Sequence, residues 1–507
     1  MLRAKLKFEV TRFNGGVTLD FFFNPRGVAI IGASRDVGRP GHVILRNFLE
    51  NMISGSFKGE VYPVNPNARR ILGVQCYKSV LELEGLVDLA VISVPAAIVP
   101  KVLEECGEAK VKGAIIISSG FSEVGNTRLE QEVVEIARRN NIRVIGPNCV
   151  GIYDAYSGVD TIFLEVSKIL EGAPILATPR PKPGRIAFIT QSGAFGAAIL
   201  DYMAGSGLGI SKFISHGNRC DVDEVDLVEY LARDDKTDVI LLYLESIGRG
   251  REFYEVARET TKIKPIIALK VGRTTAGARA AASHTGALAG SHQVFTAALK
   301  QAGVIVAETM EEMMDLAKAF VNQIPARGER IAIVTDGGGM GVIASDTVEI
   351  LGGKVERPRE ETLKKLRKLK EDGVIPDFAS IENPIDLTGV ATTEMFIKTL
   401  EIVGQADEFD GIIIFPLHHI PTLEAGYEDK MMEVIRGIKK PVVVCDVGEA
   451  EMAKLVRMKF DKYGVPAYPS PERAANVMMK LVNYGKYLLK VGAYQDYVNR
   501  KILGKGN

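Results

Sequence analysis

Short apolar runs of strand length alternate with amphipathic segments of helix length along almost the whole chain, and this alternation restricts the fold more than any other feature. A strand-length run followed by a helix that returns the chain to the same sheet edge predicts parallel sheets covered on both faces, an α/β architecture. The runs fall into three series. The first comprises residues 28–31, 61–64, 89–94, 113–118 and 143–145 and predicts a Rossmann-like domain. A proline-rich segment at 178–184 precedes the second series, at 185–190, 239–244 and 266–271. Residues 324–330 lead into the third, at 331–335, 411–416 and 441–446. The expected organisation is an N-terminal extension (1–18), a Rossmann-like domain (19–155), two further α/β domains (156–325 and 326–490) and a helical C-terminal tail (491–507).

Composition narrows the environment more than the chemistry. A chain of 507 residues with 46% hydrophobic content supplies a core for each domain. Lys plus Arg and Asp plus Glu balance at 63 each, so no global field favours nucleic acid or an acidic membrane surface. Cys76, Cys106, Cys149, Cys220 and Cys445 are scattered without a C-x-x-C pair or zinc spacing, as expected of reduced thiols. No signal-peptide core and no membrane-length apolar run is present, so a soluble cytoplasmic protein is expected.

Each domain opens with an apolar strand running into a Gly or Ser loop and then a helix, a geometry that aims free N–H groups and a positive dipole end at an anion. The first loop, Gly32-Ala33-Ser34-Arg35, departs from G-x-G-x-x-G, and the second strand ends in Asn65-Pro66-Asn67 without a carboxylate for a ribose hydroxyl. Both departures weaken a nicotinamide reading, while Arg35 and Arg39 suit a ligand richer in phosphate. The second loop is Gln191-Ser192-Gly193-Ala194, which a Ser-capped helix alone would also explain. The third series contains Asp336-Gly337-Gly338-Gly339, readable as a tight turn, and later Gly389-Val390-Ala391-Thr392-Thr393, which resembles a helix start.

Among only six histidines, His284 stands out because Ser283, Thr285, Gly286 and Ala287 leave it without bulky neighbours. A neutral, oriented imidazole accepts a phosphoryl group and passes it on. Glu245, ending the apolar run at 239–244, is a candidate to fix its tautomer; a turn-capping histidine is the structural alternative. His418-His419 follows a third-series strand without cysteine or acidic neighbours at metal spacing, so a loop and no metal site is expected. His216 either touches substrate or ends its strand, and a magnesium role for Asp221 and Asp223 has no support in the sequence.

Gly32-Ala33-Ser34, Gly146-Pro147-Asn148-Cys149-Val150-Gly151, Gln191-Ser192-Gly193, Ser283-His284-Thr285-Gly286-Ala287 and Asn383-Pro384-Ile385-Asp386-Leu387 occur in one order. In that order the chain resembles the α-subunit side of the nucleoside-diphosphate-forming acyl-CoA synthetases, relatives of succinyl-CoA synthetase, over about residues 19–490. The resemblance implies a Rossmann-like CoA-binding domain followed by two flavodoxin-like, succinyl-CoA synthetase-like domains. It implies an ADP-forming acetyl-CoA synthetase type of acid–thiol ligase, in which acyl-CoA, phosphate and ADP give acid, CoA and ATP through an acyl phosphate and a phosphohistidine.

By that resemblance His284 is the phosphoryl carrier and Glu245 its orienting partner. Ser192, Gly193 and Ala194 start one phosphate-facing helix, and Gly389, Val390, Thr392 and Thr393 belong to the start of another. CoA is met by Gly32, Ala33, Ser34, Arg35, Asn65, Asn67, Val94, Pro95, Ser118, Ser119 and Gly120, with Asn148 near the thiol end; Cys149 beside it reads as a buried neighbour. No ATP-grasp module follows the third domain, which implies a separate ATP-grasp β subunit carrying most of the ADP/ATP and Mg2+ site, in an α2β2 heterotetramer. Ser283 and Ala197 stand where succinyl-CoA synthetase has Gly and Tyr, which favours an acid shorter or less polar than succinate. The rival readings are a CoA-binding regulatory or sensor protein without ligase activity, a nicotinamide oxidoreductase and a protein-acyltransferase scaffold.

Overall fold

The computed structural model describes residues 18–279 and 292–504. The first sheet contains β1 (Gly27–Ile31), β2 (Glu60–Val64), β5 (Leu89–Ile92), β6 (Gly113–Ile116) and β7 (Arg143–Ile145); β3 (Arg70–Ile71) and β4 (Val74–Gln75) form a small hairpin beside it. The strand order is β2-β1-β5-β6-β7, all parallel. After β2 the chain crosses back over β1, and this reversal opens a crevice beyond the carboxyl ends of β1 and β5. β1, β5 and β6 are buried at every position, because helices cover both faces and no alternation survives. On one face Ala29, Ile31, Ala90, Ile92, Ala114 and Ile116 pack against Val99, Leu103 and Cys106 of the helix Val99–Glu108 and Val133 and Ile136 of the helix Thr127–Arg139.

The second sheet is built from β8 (Gly151–Asp154), β11 (Pro183–Thr190), β12 (Ile210–Ser215), β13 (Val239–Leu244), β14 (Ile266–Lys270) and β15 (Ile305–Ala307), in the order β15-β14-β13-β11-β12-β8. Its edge strand β8 runs antiparallel to β12. β9 (Ser167–Leu170) and β10 (Ala173–Leu176) form a separate hairpin whose eight residues are all exposed, including Ile169, Leu170, Ile175 and Leu176.

The third sheet contains β16 (Ile331–Thr335), β17 (Ile385–Asp386), β18 (Gly411–Phe415), β19 (Val442–Cys445) and β20 (Ala467–Tyr468), in the parallel order β17-β16-β18-β19-β20. The helix Pro471–Lys490 lies so close to residue 326 that a Cβ on Gly485 would stand 1.8 Å from the Ala326 carbonyl oxygen. Arg473 on the same helix donates from Nε and Nη2 to both oxygens of Asp315, each at 2.7 Å, tying it to the helix Met310–Asn322.

The described residues fall into two compact units, one taking those up to 237 together with 243–253 and those from 271, the other 238–242, 254–270 and those from 292. Beyond the expected tail boundary the helix Tyr494–Gly504 follows the long helix.

Candidate functional site

The carboxyl ends of the first sheet gather most of the residues expected to meet CoA. Gly32 follows β1 with φ +94°, and a Cβ on it would stand 2.7 Å from the Ser93 carbonyl oxygen. The second close approach comes from Gly41, in the first turn of the helix Pro40–Ile53, whose Cβ would stand 2.2 Å from the Gly32 oxygen. The loop therefore achieves the contact of a dinucleotide fold with glycines nine positions apart, which explains its departure from G-x-G-x-x-G. That helix has no side-chain cap and no acid in its first turn, so its N–H groups face outward. Ser34 is fixed by Asp36 N–H donating to its Oγ at 3.0 Å and by His42 Nδ1 at 2.9 Å from its carbonyl oxygen; Arg35 and Arg39 are exposed on the rim.

The loops are stitched to one another. Asn65 Nδ2 donates to Ala33 O at 2.7 Å while its Oδ1 accepts from Asn67 N at 2.8 Å. Ser118 Oγ donates to Val94 O at 2.5 Å, and Asn148, with φ +56°, donates from its backbone to Ser118 O at 2.9 Å. Pro95 opens a short turn at Ala96–Ile98, Ser119 is exposed, and Gly120 donates to Glu123 Oε1 at 2.5 Å. Cys149 Sγ donates to Ile116 O at 3.3 Å, and burial pushes the thiol up to about 12, which removes it from nucleophilic chemistry.

β11 ends in a turn closed by its own side chain. Ser192 N–H donates to Thr190 Oγ1 at 3.1 Å and the hydroxyl returns to Ser192 O at 2.8 Å, after which Ser192 Oγ caps the helix Gly193–Gly205 by accepting from Phe195 N. Glu245 follows β13, buried, and its setting depends on Gln191, whose place in the second loop the sequence shows without showing this partner. Gln191 Oε1 accepts from Glu245 N at 2.6 Å and Ser246 N at 3.1 Å, and Nε2 donates to Ser246 O at 2.7 Å. One amide thus joins the Ser192 turn to the Glu245 loop. Arg219, with φ +51°, donates to Ser246 O at 2.7 Å and Oγ at 2.5 Å and pairs with the buried Glu224 at 2.9 Å. His284 lies outside the described residues.

His216 is structural. It is fully buried, with Nδ1 3.0 Å from Thr190 O and Nε2 3.5 Å from Glu224 Oε2. Burial works against ionised Glu224, yet His216 and Arg219 hold its pKa down at about 2. Asp221 and Asp223 are neutralised by arginines: Asp221 by Arg143 at 2.8 Å, Asp223 by Arg249 while it caps the helix Glu224–Arg233.

In the other unit β16 repeats the β11 turn. Gly337 N–H donates to Thr335 Oγ1 at 2.9 Å and the hydroxyl returns to Gly337 O at 3.0 Å. The residues from 337 are a helix start, not merely a tight turn: Gly337 is the N-cap of the helix Gly338–Ile350 and offers no side-chain cap. The sequences Arg185-Ile186-Ala187-Phe188-Ile189-Thr190-Gln191-Ser192-Gly193 and Arg330-Ile331-Ala332-Ile333-Val334-Thr335-Asp336-Gly337-Gly338 carry the repeat, a signal that comparing the series with one another would have found. Asp336 is buried with its pKa pushed up to about 8, by burial first and by Asp446 and Asp386 in addition. The expected start at 389–393 falls on two elements: Gly389 and Val390 lie exposed in the preceding turn, and the helix Thr393–Gln405 is capped by Thr392 Oγ1, which accepts from Met395 N at 3.3 Å.

Glycine-lined strand ends on parallel α/β sheets, with helix starts left uncapped at Pro40 and Gly338 and capped by hydroxyls at Ser192 and Thr392, are the features of a phosphate-binding α/β protein. The chain matches the CoA binding domain family over residues 26–155, the succinyl-CoA ligase like flavodoxin domain family over 183–320 and the ligase-CoA domain family over 331–486. It is 40% identical to the ADP-forming acetate–CoA ligase II subunit alpha of Pyrococcus furiosus, over 92% of this chain and 98% of the relative, and 38% identical to that organism's isoform I subunit alpha, over 94% and 99%. It spans 65% of the ADP-forming acetate–CoA ligase of Methanocaldococcus jannaschii, at 39% identity over 95% of this chain. Among solved structures it is similar to the dinucleotide-forming acetyl-coenzyme A synthetase 1 of Ca. Korarchaeum cryptofilum in complex with phosphate and ADP, with a TM-score of 0.84 and 38% identity over 94% of this chain and 99% of that one. The chain belongs to the ADP-forming acetate–CoA ligase family, and in extent it corresponds to the subunit-alpha members. CoA and a nucleotide are the cofactors of that chemistry. No helix among the described residues is long and apolar enough to cross a membrane.

Proposed function

We propose that this chain is the α subunit of an ADP-forming acyl-CoA synthetase that carries the phosphoryl group on His284. In the ATP-forming direction phosphate attacks the acyl-CoA carbonyl, the C–S bond breaks, and CoA leaves as thiol. The imidazole nitrogen of His284 then attacks phosphorus, releasing the carboxylic acid, and ADP takes the phosphoryl group to give ATP. Glu245 accepts the ring's other N–H and keeps the attacking nitrogen unprotonated. The helix start at Ser192, Gly193 and Ala194 stabilises phosphoryl charge, as do Gly389, Val390, Thr392 and Thr393. CoA lies along Gly32 to Arg35, Asn65, Asn67, Val94, Pro95, Ser118 to Gly120 and Asn148.

The single observation that carries this reading is the Gln191 amide, which bonds both the Glu245 loop and its own helix-capping turn, an arrangement suited to presenting a carboxylate and a phosphate site together. The division of labour follows the domains at 19–155, 156–325 and 326–490. Nucleotide and Mg2+ are held mainly by a separate ATP-grasp β subunit in an α2β2 assembly. The exposed apolar hairpin of β9 and β10 offers a surface for such a partner.

Intact-mass analysis of the chain with its β subunit after incubation with Mg2+ and ATP tests the proposal. One acid-labile phosphate is expected, absent in His284→Ala and strongly reduced in Glu245→Gln. An unmodified wild-type chain beside a β subunit shown to bind ATP would favour the CoA-sensor reading.

A further inference from the structure

At the carboxyl edge of the third sheet, His418 and His419 follow β18 and Asp446 follows the neighbouring β19. The sequence places no acid beside the two histidines; the parallel pairing of the strands supplies one. Asp446 is fully buried, His418 is nearly so, and His419 is exposed. His418 Nδ1 lies 2.8 Å from Asp446 Oδ1 and 3.0 Å from Oδ2, and the His418 backbone N–H donates to Oδ1 at 3.2 Å. The two imidazoles stack with centroids 3.8 Å apart. One ligating atom from each of the three residues falls within a span of 4.8 Å.

We propose that His418, His419 and Asp446, none of them assigned to phosphoryl transfer, bind a divalent first-row transition metal of the zinc type. Two imidazoles and a carboxylate are a donor set suited to Zn2+ or Ni2+ and poorly suited to Mg2+. Ligands about 2.1 Å from a tetrahedral metal stand about 3.4 Å apart, so the observed separations bracket the required one and a rotation of the exposed His419 ring closes it. The metal takes the place between His418 Nδ1 and the Asp446 carboxylate, where the two now share a hydrogen bond.

The neighbouring groups hold the three side chains in place. Asp336 Oδ2 accepts from Leu417 N at 2.9 Å, immediately before His418, while its Oδ1 is buried without a hydrogen-bond partner. The nearby guanidinium of Arg457 donates from Nη1 to Asp446 O at 2.7 Å and Gly448 O at 2.6 Å and pairs through Nη2 with Glu449 at 3.5 Å, which fixes the loop behind the carboxylate. Gly448, at φ +134°, turns no side chain toward the rings, where a Cβ would stand 3.4 Å from His418 Cε1. The exposed side of His419 leaves a coordination position open to solvent.

The test uses the tag-free full-length chain stripped by chelator, titrated with Zn2+ by calorimetry, counted by elemental analysis, and titrated with Co2+ as an absorbing probe. Wild type and His284→Ala are expected to hold one metal per chain. His419→Ala, on the surface, and His418→Ala should bind at least tenfold more weakly and lose the Co2+ visible band while keeping the wild-type circular dichroism. Equal affinity in wild type and both His variants would overturn the proposal, as would a wild-type chain that retains no Zn2+.

Discussion

At the scale of single residues, the local environment decides which polar group does chemistry. Cys149 stands beside Asn148 at the thiol end of the expected CoA track, but its sulfur is enclosed and hydrogen-bonded to Ile116 O. With its thiol pushed up to about 12, almost no thiolate is present at pH 8. Folded protein treated with iodoacetamide at pH 8 should leave Cys149 unmodified in peptide mass spectra, and alkylation should appear after unfolding. His216 teaches the same lesson in reverse. A histidine on a strand-end loop looks available in sequence, yet its ring is shut between Thr190 O and Glu224.

At the scale of elements, the strand-end turns are held by charge networks laid beneath them. Glu224 opens the helix Glu224–Arg233 and faces His216 and Arg219, and through Arg219 it reaches the Ser246 loop. Its depressed pKa means that the folded state holds the ionised form more tightly than the unfolded chain does. This stability is fully present above the unfolded value, near 4.5, and is lost as pH falls through about 2. Glu224→Gln should therefore cost about 3–5 kcal/mol in urea unfolding at pH 7, and the gap to wild type should narrow steadily below pH 4.5.

The strands themselves were legible because burial on both faces writes them as continuous apolar runs, and the phosphate loops because Gly and Ser mark them locally. Gln191, Arg219 and Asp446 were not legible as a set. Gln191 and Arg219 meet Ser246 55 and 27 positions away, Asp446 meets His418 across 28, and such side chains carry no periodic signal of what they will meet. The helix start at Gly337 lay between these cases: its glycines were visible, but a turn and an N-cap look alike until the following residues are placed.

At the scale of the whole molecule, ligand stabilisation tests whether the two compact units melt apart or together. A ligand bound only by native protein adds RT ln(1 + [L]/Kd), about 2.7 kcal/mol at a hundredfold excess over Kd. CoA at that concentration should raise the calorimetric transition of the unit holding the first sheet and leave the other in place. One transition moving as a whole would show that the units melt together.

The recurrence of the hydroxyl-closed turn at Thr190 and Thr335 has a different bearing. The chain contains its own control experiment. The two turns share the threonine closure but differ in the two residues after it, Gln191-Ser192 in one and Asp336-Gly337 in the other. Replacement of the closing threonine, if tolerated at one and refused at the other, therefore reports what the side chains around each turn demand, because the hydroxyl closure itself is common to both.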